Sequence, residues 1–138
     1  MGVPVTLEVA PGRTEAPAVS SRALGGGAGY LKIPYFSDAA VGQVRQALGA
    51  LPAGGLVVDL RGNPGGSLEA GQAIAGLLAG KGAFGVELGP RGKKTILGAT
   101  GAAARKGPVT VLTDRGTASV AEALAACLSD RAGAVLMG

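Results

Sequence analysis

The sequence predicts an α/β fold, and three observations predict it. Short apolar runs suited to strands alternate with longer segments in which apolar residues follow helical spacing. Two of the junctions between a strand and a helix are rich in Gly, Ser or Thr, the residues that allow a chain to turn sharply. The 138 residues, of which 47% are hydrophobic and 16% charged, suffice to bury one core. Strands separated by helices form stacked units with right-handed crossovers.

The expected elements follow one another along the chain. Apolar runs predict the strands, and helical periodicity predicts the helices. In order, these are a strand at 29–34, a helix at 38–50, a strand at 55–61, a helix at 67–79, strands near 84–88 and 93–97, a strand at 108–113, a helix at 118–128 and a strand at 134–137. Before them, residues 10–27 are rich in Pro, Ser, Arg and Gly and have little periodicity, which predicts a linker.

The segment 109–126 is the most informative part of the chain. An apolar run ends in Asp-Arg-Gly-Thr-Ala-Ser at 114–119, and an alanine-rich helical pattern follows. A serine at such a turn can point its hydroxyl into a cleft, while the first N–H groups of the helix face a developing oxyanion. Ser119 is therefore the candidate nucleophile. The alternative is that Thr117 or Ser119 only caps the helix, with Glu122, three residues after Ser119, completing a capping box.

A second turn, at 62–66, joins the strand at 55–61 to the helix at 67–79. Its sequence, Gly-Asn-Pro-Gly-Gly, can present unhindered N–H groups to a ligand at the start of a helix. Such a loop could hold a phosphate or the oxyanion of acyl transfer, or be an ordinary tight turn. It lacks the Lys-Ser/Thr pair of a P-loop and the spacing of a dinucleotide fingerprint.

Together, these motifs resemble the carboxyl-terminal processing peptidases, or tail-specific proteases, which are serine proteases with a Ser-Lys dyad. The matching parts are the opening strand at 29–36, the glycine loop at 57–66, the nucleophile turn at 116–119 with Glu122, the helix end at 128–131 and the strand at 135–138. The resemblance covers roughly residues 25–138, and the motifs in this order are more specific than any one of them. It implies a crotonase-like (ClpP-like) spiral core of repeated β-β-α units.

The resemblance also implies residue roles. Ser119 would be the nucleophile, the N–H groups of Val120, Gly65 and Gly66 would bind the oxyanion, and Glu122 and Asp130 would support the site. From the residues alone, Glu122 could equally be a capping carboxylate and Asp130 a solvated surface charge.

The general base is expected to be missing. In the resembling family it is a lysine in a Gly-Lys-Gly-like loop beyond the serine, at a position that would follow Gly138. A serine needs an adjacent base, and a lysine serves only when burial leaves it neutral. The chain has no His, and none of its lysines matches that position; these are Lys32, Lys81, Lys93, Lys94 and Lys106. We expect a weak or inactive peptidase unless another chain or a local lysine supplies the base.

The domain prediction follows from the same resemblance. Residues 1–9 alternate as the last strand of a preceding PDZ domain would, residues 10–27 form the linker, and residues 28–138 form a peptidase core that is incomplete at its C-terminal end. We expect no signal peptide and no membrane span within the chain, because it has neither a basic start followed by an apolar core nor a long apolar stretch. The resemblance implies a periplasmic or cell-envelope location for the parent protein.

Composition narrows the range of partners. The net charge is +4, but the basic residues are scattered apart from a cluster at 91–94, and no aromatic residues interleave with them, so nucleic acid is not expected. No cofactor is expected, and no metal, since the chain lacks a Cys/His set and a carboxylate cluster. The single Cys127 is expected to be a small buried hydrophobe. The implied partners are the C-termini of proteins or peptides, and an exposed sheet edge makes a homo-oligomer plausible.

Two alternatives to a peptidase remain. The chain could be a non-catalytic fragment that binds peptide tails or acts as a scaffold, because both turns are intact without a base. It could also be a crotonase-like acyl-CoA enzyme, whose chemistry uses carboxylates. The candidates for that role are Asp59, Glu69, Glu122 and Asp130, although the turn at 117–119 would then be unexplained.

Overall fold

The computed structural model describes residues 18–138. This part of the chain forms a five-stranded sheet, a two-stranded hairpin and three helices. The elements are β1 (Ser20–Ala23), β2 (Gly29–Lys32), α1 (Asp38–Ala50), β3 (Leu56–Asp59), α2 (Leu68–Ala79), β4 (Gly82–Leu88), β5 (Lys94–Ala99), β6 (Val109–Leu112), α3 (Val120–Ala132) and β7 (Val135–Met137).

The large sheet has the strand order β1-β2-β3-β6-β7. Strand β1 is antiparallel to β2, and every other neighbouring pair is parallel. In the register of the three central strands, Lys32, Asp59 and Leu112 are aligned, so β2, β3 and β6 end at the same edge. The two turns singled out from the sequence follow β3 and β6 and therefore meet at the carboxyl edge, where α/β proteins place their sites.

The sheet core consists of small aliphatic side chains. Leu31, Val58 and Val111 lie side by side in the register of the central strands, and each is fully buried. The helices close over this row with further buried side chains, including Val44 from α1, Ile74 from α2 and Leu124 from α3. Strand β7 lies at one edge, and its three side chains, Val135, Leu136 and Met137, are exposed.

Helices α2 and α3 run in the same direction and contact each other at both ends. Near their starts, a Cβ added to Gly71 would lie 2.2 Å from Cγ1 of Val120, so only a glycine lets α3 approach this closely. Near their ends, Nη2 of Arg131 donates to carbonyl oxygens at the end of α2 and just beyond it, those of Ala79, Gly80 and Lys81. These carbonyls have no partner within the helix, and the guanidinium supplies one.

The predicted elements agree with the structure in type, with two differences. Strand β1 and a short 3₁₀ turn at Gly25–Gly27 lie inside residues 10–27, so the part of the predicted linker from 18 onward is structured. Helix α3 begins at Val120 and extends to Ala132, past the predicted end at 128. The strand expected within residues 1–9 lies outside the described residues. Among residues 18–138, no helix combines the length and apolar character needed to cross a bilayer.

We expect Gly71→Ala to destabilise the protein by about 1–3 kcal/mol, because Val120 has little rotational freedom with which to avoid the added methyl group. The matched control is Gly42→Ala in α1, where an added Cβ meets nothing within 4 Å. That substitution should stabilise the helix by about 0.5–1 kcal/mol. Urea denaturation of both variants measures the difference, and equal midpoints would contradict the close contact between α2 and α3.

Candidate active site

The side chain of Asn63 organises the glycine loop. Asn63 is fully buried, and its Nδ2 donates to the carbonyl oxygen of Ile33, after β2, at 2.7 Å. Its Oδ1 accepts the N–H of Gly65 at 2.8 Å, and its main-chain oxygen accepts the N–H of Ala118 at 2.9 Å. This one residue therefore joins the segments that follow β2, β3 and β6. Sequence reasoning placed Asn63 only in a turn, because its burial is invisible in the sequence.

Gly65 and Gly66 occupy backbone conformations that require glycine. Their φ angles are +108° and +133°. A Cβ on Gly65 would lie 2.9 Å from Cβ of Ser119, and one on Gly66 would lie 2.3 Å from the oxygen of Phe36. The missing side chain of Gly65 thus allows the glycine loop to contact the nucleophile turn directly.

The two glycines differ in what their N–H groups do. Gly65 is buried and its N–H is donated to Asn63, so the expectation that Gly65 supplies an oxyanion donor does not fit the geometry. Gly66 is exposed, and its N–H donates to no acceptor within residues 18–138. Of the pair, only Gly66 therefore offers a donor to a ligand.

Ser119 has an unusual backbone conformation at the start of α3. Its φ and ψ are 57° and −123°, a region that L residues rarely adopt and that costs on the order of 1–3 kcal/mol. A serine held in this way on a sharp turn between a strand and a helix presents its hydroxyl at the surface. The residue is exposed.

A serine precedes each of the three helices. Ser37 and Ser67 cap α1 and α2, their Oγ atoms accepting the N–H groups of Ala40 and Ala70 at 3.2 and 3.1 Å. Ser119 takes the corresponding position before α3 and forms a capping box with Glu122, although its hydroxyl makes no cap hydrogen bond of that kind in the described part of the chain. Its own N–H donates instead to Oε2 of Glu122 at 2.8 Å. The capping alternative is therefore met in part, by the bond from the Ser119 N–H to Glu122, and the residue remains exposed at the turn.

Val120 supplies a second N–H group beside the hydroxyl. Its side chain is buried in the core, whereas its N–H, the first of α3, donates to no acceptor in the described region. Gly65 and Ser119 are in contact, and the next residue along each turn, Gly66 or Val120, has an N–H without a protein partner in the described region. Donors of this kind beside a hydroxyl suit the addition of that hydroxyl to a carbonyl carbon.

An ionic cluster around the buried Asp59 carboxylate lies at the same edge of the sheet. The Asp59 carboxylate accepts three bonds from Arg61, N–H to Oδ1 at 2.9 Å, Nε to Oδ1 at 3.0 Å and Nη2 to Oδ2 at 2.7 Å. It accepts a fourth from the Tyr30 hydroxyl at 2.5 Å. Nζ of Lys32 lies 3.6 Å from Oδ2. Burial by itself would raise the pKa of Asp59, but these donors outweigh it and hold the pKa well below its usual range. Asp59 therefore stays ionised and has no proton to give.

None of the lysines reaches Ser119. All five lie within residues 18–138, and no hydrogen bond joins any of them to Ser119 there. Nζ of Lys32 donates to the oxygen of Arg61 at 3.1 Å and lies 3.6 Å from Oδ2 of Asp59. The other four are exposed: Lys81, Lys93, Lys94 and Lys106.

The two carboxylates expected to support the site, Glu122 and Asp130, lie at different distances from Ser119. Glu122 contacts Ser119 directly, as described above. Asp130 lies about three turns from Ser119 along α3, roughly 16 Å from it by helical rise, and is exposed. The structure therefore brings Glu122, but not Asp130, to Ser119. In the described region no group of three or more His, Cys, Asp or Glu side chains could hold a metal ion.

Sequence comparison identifies the family. The profile of peptidase family S41 matches residues 27–138, most of the chain. The chain belongs to peptidase family S41. Two similar curated relatives are the carboxyl-terminal-processing protease of Synechocystis, 39% identical over 113 residues, and the carboxy-terminal processing protease CtpA of Bacillus subtilis, 32% identical over 114 residues. Each alignment covers 80% of this chain, but only 26% and 24% of the relative, so this S41 chain spans about a quarter of their length.

Solved structures agree with this family. The photosystem II D1 C-terminal processing protease matches 86% of this chain and 35% of its own, with a TM-score of 0.75 and 29% identity. The tricorn protease matches 80% of this chain with a TM-score of 0.52, and at 21% identity it supports the fold alone.

We expect Ser119→Gly to be more stable than Ser119→Ala by about 1 kcal/mol, because glycine removes the strain of the positive φ angle and alanine does not. The same pair of substitutions at Ser129, within α3, should give the opposite order, since glycine is the poorer helix former by about 1 kcal/mol. Thermal melts of the four variants measure both differences. A Ser119→Gly protein that melts below Ser119→Ala would show that the turn is not strained.

We also expect Asn63→Ala to destabilise this S41 domain by about 2–5 kcal/mol, because two buried groups, the oxygen of Ile33 and the N–H of Gly65, lose their partner. A matched control is Gln72→Ala, which removes an amide whose Nε2 donates to the exposed oxygen of Gly98 at 2.9 Å. Its cost should be within about 1 kcal/mol. Urea denaturation compares the two, and similar losses would contradict the linking role of Asn63.

Proposed function

We propose that this S41 chain is the core of a carboxyl-terminal processing protease, a serine endopeptidase that cleaves near the C-terminus of protein substrates. The observation that carries the proposal is the strained, exposed Ser119, whose turn contacts the glycine loop. Ser119 Oγ attacks the scissile carbonyl carbon. The relatives named as carboxyl-terminal processing proteases support this substrate class.

The oxyanion of the tetrahedral intermediate is bound by the N–H groups of Gly66 and Val120. These two donors lie on different turns, have no protein acceptor within the described residues, and flank Ser119. Val120 adds the partial positive charge of the start of α3. Glu122, which accepts the Ser119 N–H, holds the main chain of the nucleophile in its strained conformation.

The general base is a lysine supplied from outside these 138 residues. It accepts the proton of Ser119 Oγ during attack and returns it to the leaving amine. Lys32 does not serve, because its ammonium group is paired with Asp59. The 138-residue chain by itself therefore binds peptide tails and cleaves them slowly or not at all.

The substrate lies at the carboxyl edge of the sheet in an extended conformation, with main-chain hydrogen bonds providing affinity. A cleft of about 270 Å³ beside the nucleophile turn receives a substrate side chain. It is lined by Thr113, Asp114, Thr117, Glu122, Ala125, Ala126 and Leu136. The parallel β-α units belong to a crotonase-like spiral core. The parent protein works in the periplasm or cell envelope, in line with its bacterial and chloroplast relatives.

A non-catalytic peptide-binding role is the second candidate, and the absence of any lysine bond to Ser119 within residues 18–138 favours it. An acyl-CoA enzyme has less support. Three of its candidate carboxylates already have partners. Asp59 accepts bonds from Arg61, Glu69 accepts the Ser67 hydroxyl at 3.0 Å, and Glu122 accepts the Ser119 N–H. The fourth, Asp130, lies far along α3.

The test is cleavage of an unfolded protein with an apolar C-terminus by the wild-type chain, Ser119→Ala and the matched control Ser129→Ala. We expect at most slow cleavage by the wild type, unchanged in Ser129→Ala and lowered at least about 10³-fold in Ser119→Ala wherever it is measurable. All three proteins should bind a peptide with the same C-terminus. Binding is followed by fluorescence anisotropy of the labelled peptide.

The results separate three cases: a binding site without a base, a completed dyad and the absence of a site. Binding without Ser119-dependent cleavage supports an intact site that lacks its base. Rapid Ser119-dependent cleavage shows that a lysine of this chain completes the dyad. If the specific rate also rises with protein concentration, that lysine comes from a second copy of the chain. Neither binding nor cleavage contradicts the proposed function.

A further inference from the structure

The carboxylate of Asp114 lies between the two turns of the candidate site. Asp114 follows β6, and its Oδ1 accepts the N–H of Gly62 at 2.8 Å and that of Gly116 at 2.9 Å. Gly62 begins the glycine loop, and Gly116 lies in the nucleophile turn. A single oxygen atom therefore binds both turns.

Thr117 strengthens the same connection. Its Oγ1 accepts the N–H of Asp114 at 3.0 Å and donates to the oxygen of Leu60, beyond the end of β3, at 2.9 Å. Oδ1 of Asp114 lies 3.4 Å from the same hydroxyl. The start of the nucleophile turn is thus bonded both to the strand before the glycine loop and to the loop itself.

The two turns are in direct contact at this point. A Cβ added to Gly116 would lie 3.0 Å from Cα of Gly62, so no side chain separates them. The Gly62 N–H makes the largest contribution to holding the pKa of Asp114 below its usual value; desolvation opposes this effect, and the Gly116 N–H and Thr117 add to it. An ionised acceptor makes stronger hydrogen bonds than a neutral one.

We propose that Asp114 is a positioning residue, whose carboxylate holds the glycine loop against the nucleophile turn and so fixes the separation between the N–H of Gly66 and Oγ of Ser119. This inference rests on the proposed function, which makes those groups the oxyanion donor and the nucleophile. Asp114 also lines the cleft proposed for a substrate side chain, but its effect on the nucleophile and the oxyanion donor passes through Gly62 and Gly116. Without it, water competes for their N–H groups and the two turns separate while the sheet below them stays intact.

The test uses amide hydrogen exchange measured by NMR at Ala118. Its N–H donates to the oxygen of Asn63 at 2.9 Å, across the two turns and without involving Asp114, so its exchange reports their separation. Asp114→Ala should speed exchange at Ala118 about tenfold or more. Leu60, whose N–H donates to the oxygen of Leu112 within the sheet, should exchange as in the wild type.

Two further variants make the test specific. Asp114→Asn keeps an acceptor oxygen in the same place and should keep the wild-type exchange rate at Ala118. Asp130→Ala removes an exposed carboxylate three turns along α3 and should change neither amide. If Asp114→Ala does not fold, which loss of protection at Leu60 would reveal, Asp114→Ser is measured instead, because its shorter side chain cannot bond both N–H groups.

Two outcomes would overturn the inference. One is a folded Ala or Ser variant in which Ala118 exchanges at the wild-type rate, and the other is an Asn variant in which Ala118 exchanges as fast as in the Ala variant. The exchange rates do not depend on turnover, so they stay interpretable in a Ser119→Ala background. Failure of the proposed function would instead appear as the loss of peptide binding with the Asp114 results unchanged.

Discussion

The buried amide of Asn63 holds together three chain segments that are distant in sequence. In the dry interior an amide is stable only when its donor and its acceptor both have partners, and here those partners belong to Ile33 and Gly65. Such bonds are directional, unlike the aliphatic packing beneath them. They therefore fix where each segment lies relative to the others. The side chain of Asn63 sets the shape of the glycine loop, and its main-chain oxygen sets the distance to the nucleophile turn.

The conformation of Ser119 is unfavourable by itself and is maintained by its surroundings. Gly65 leaves room for the turn, Glu122 binds its N–H, and the buried side chain of Val120 anchors the first turn of α3 against Gly71. Strain of this kind persists only when neighbouring contacts determine the backbone more strongly than its own preference does. The geometry of the site therefore depends on close packing at two glycines, Gly65 against the turn of Ser119 and Gly71 against Val120 at the start of α3.

The sequence is sufficient to predict an element where the local pattern of residues determines its structure. Helix α1 begins and ends at the predicted residues, because apolar spacing and a serine before the first turn are local features. Strand β1 has four exposed residues and no apolar alternation, so it forms only because β2 offers an edge to pair with. Gly65 and Gly66 are equivalent in the sequence, and only the amide of Asn63 shows which N–H is already bonded. The position of Asp130 could have been judged from helical rise alone.

The order of strands in the sheet has a consequence for how the protein folds. Strands β3 and β6 are neighbours, yet the bond between Gly62 and Asp114 closes a loop of 52 residues that contains α2 and the hairpin. Closing a long loop costs chain entropy before any contact compensates for it, so pairings between distant segments slow folding. The two turns can meet only once β6 has joined the sheet. A partly folded chain therefore lacks the nucleophile geometry, and the protein acquires the site late, together with its completed sheet.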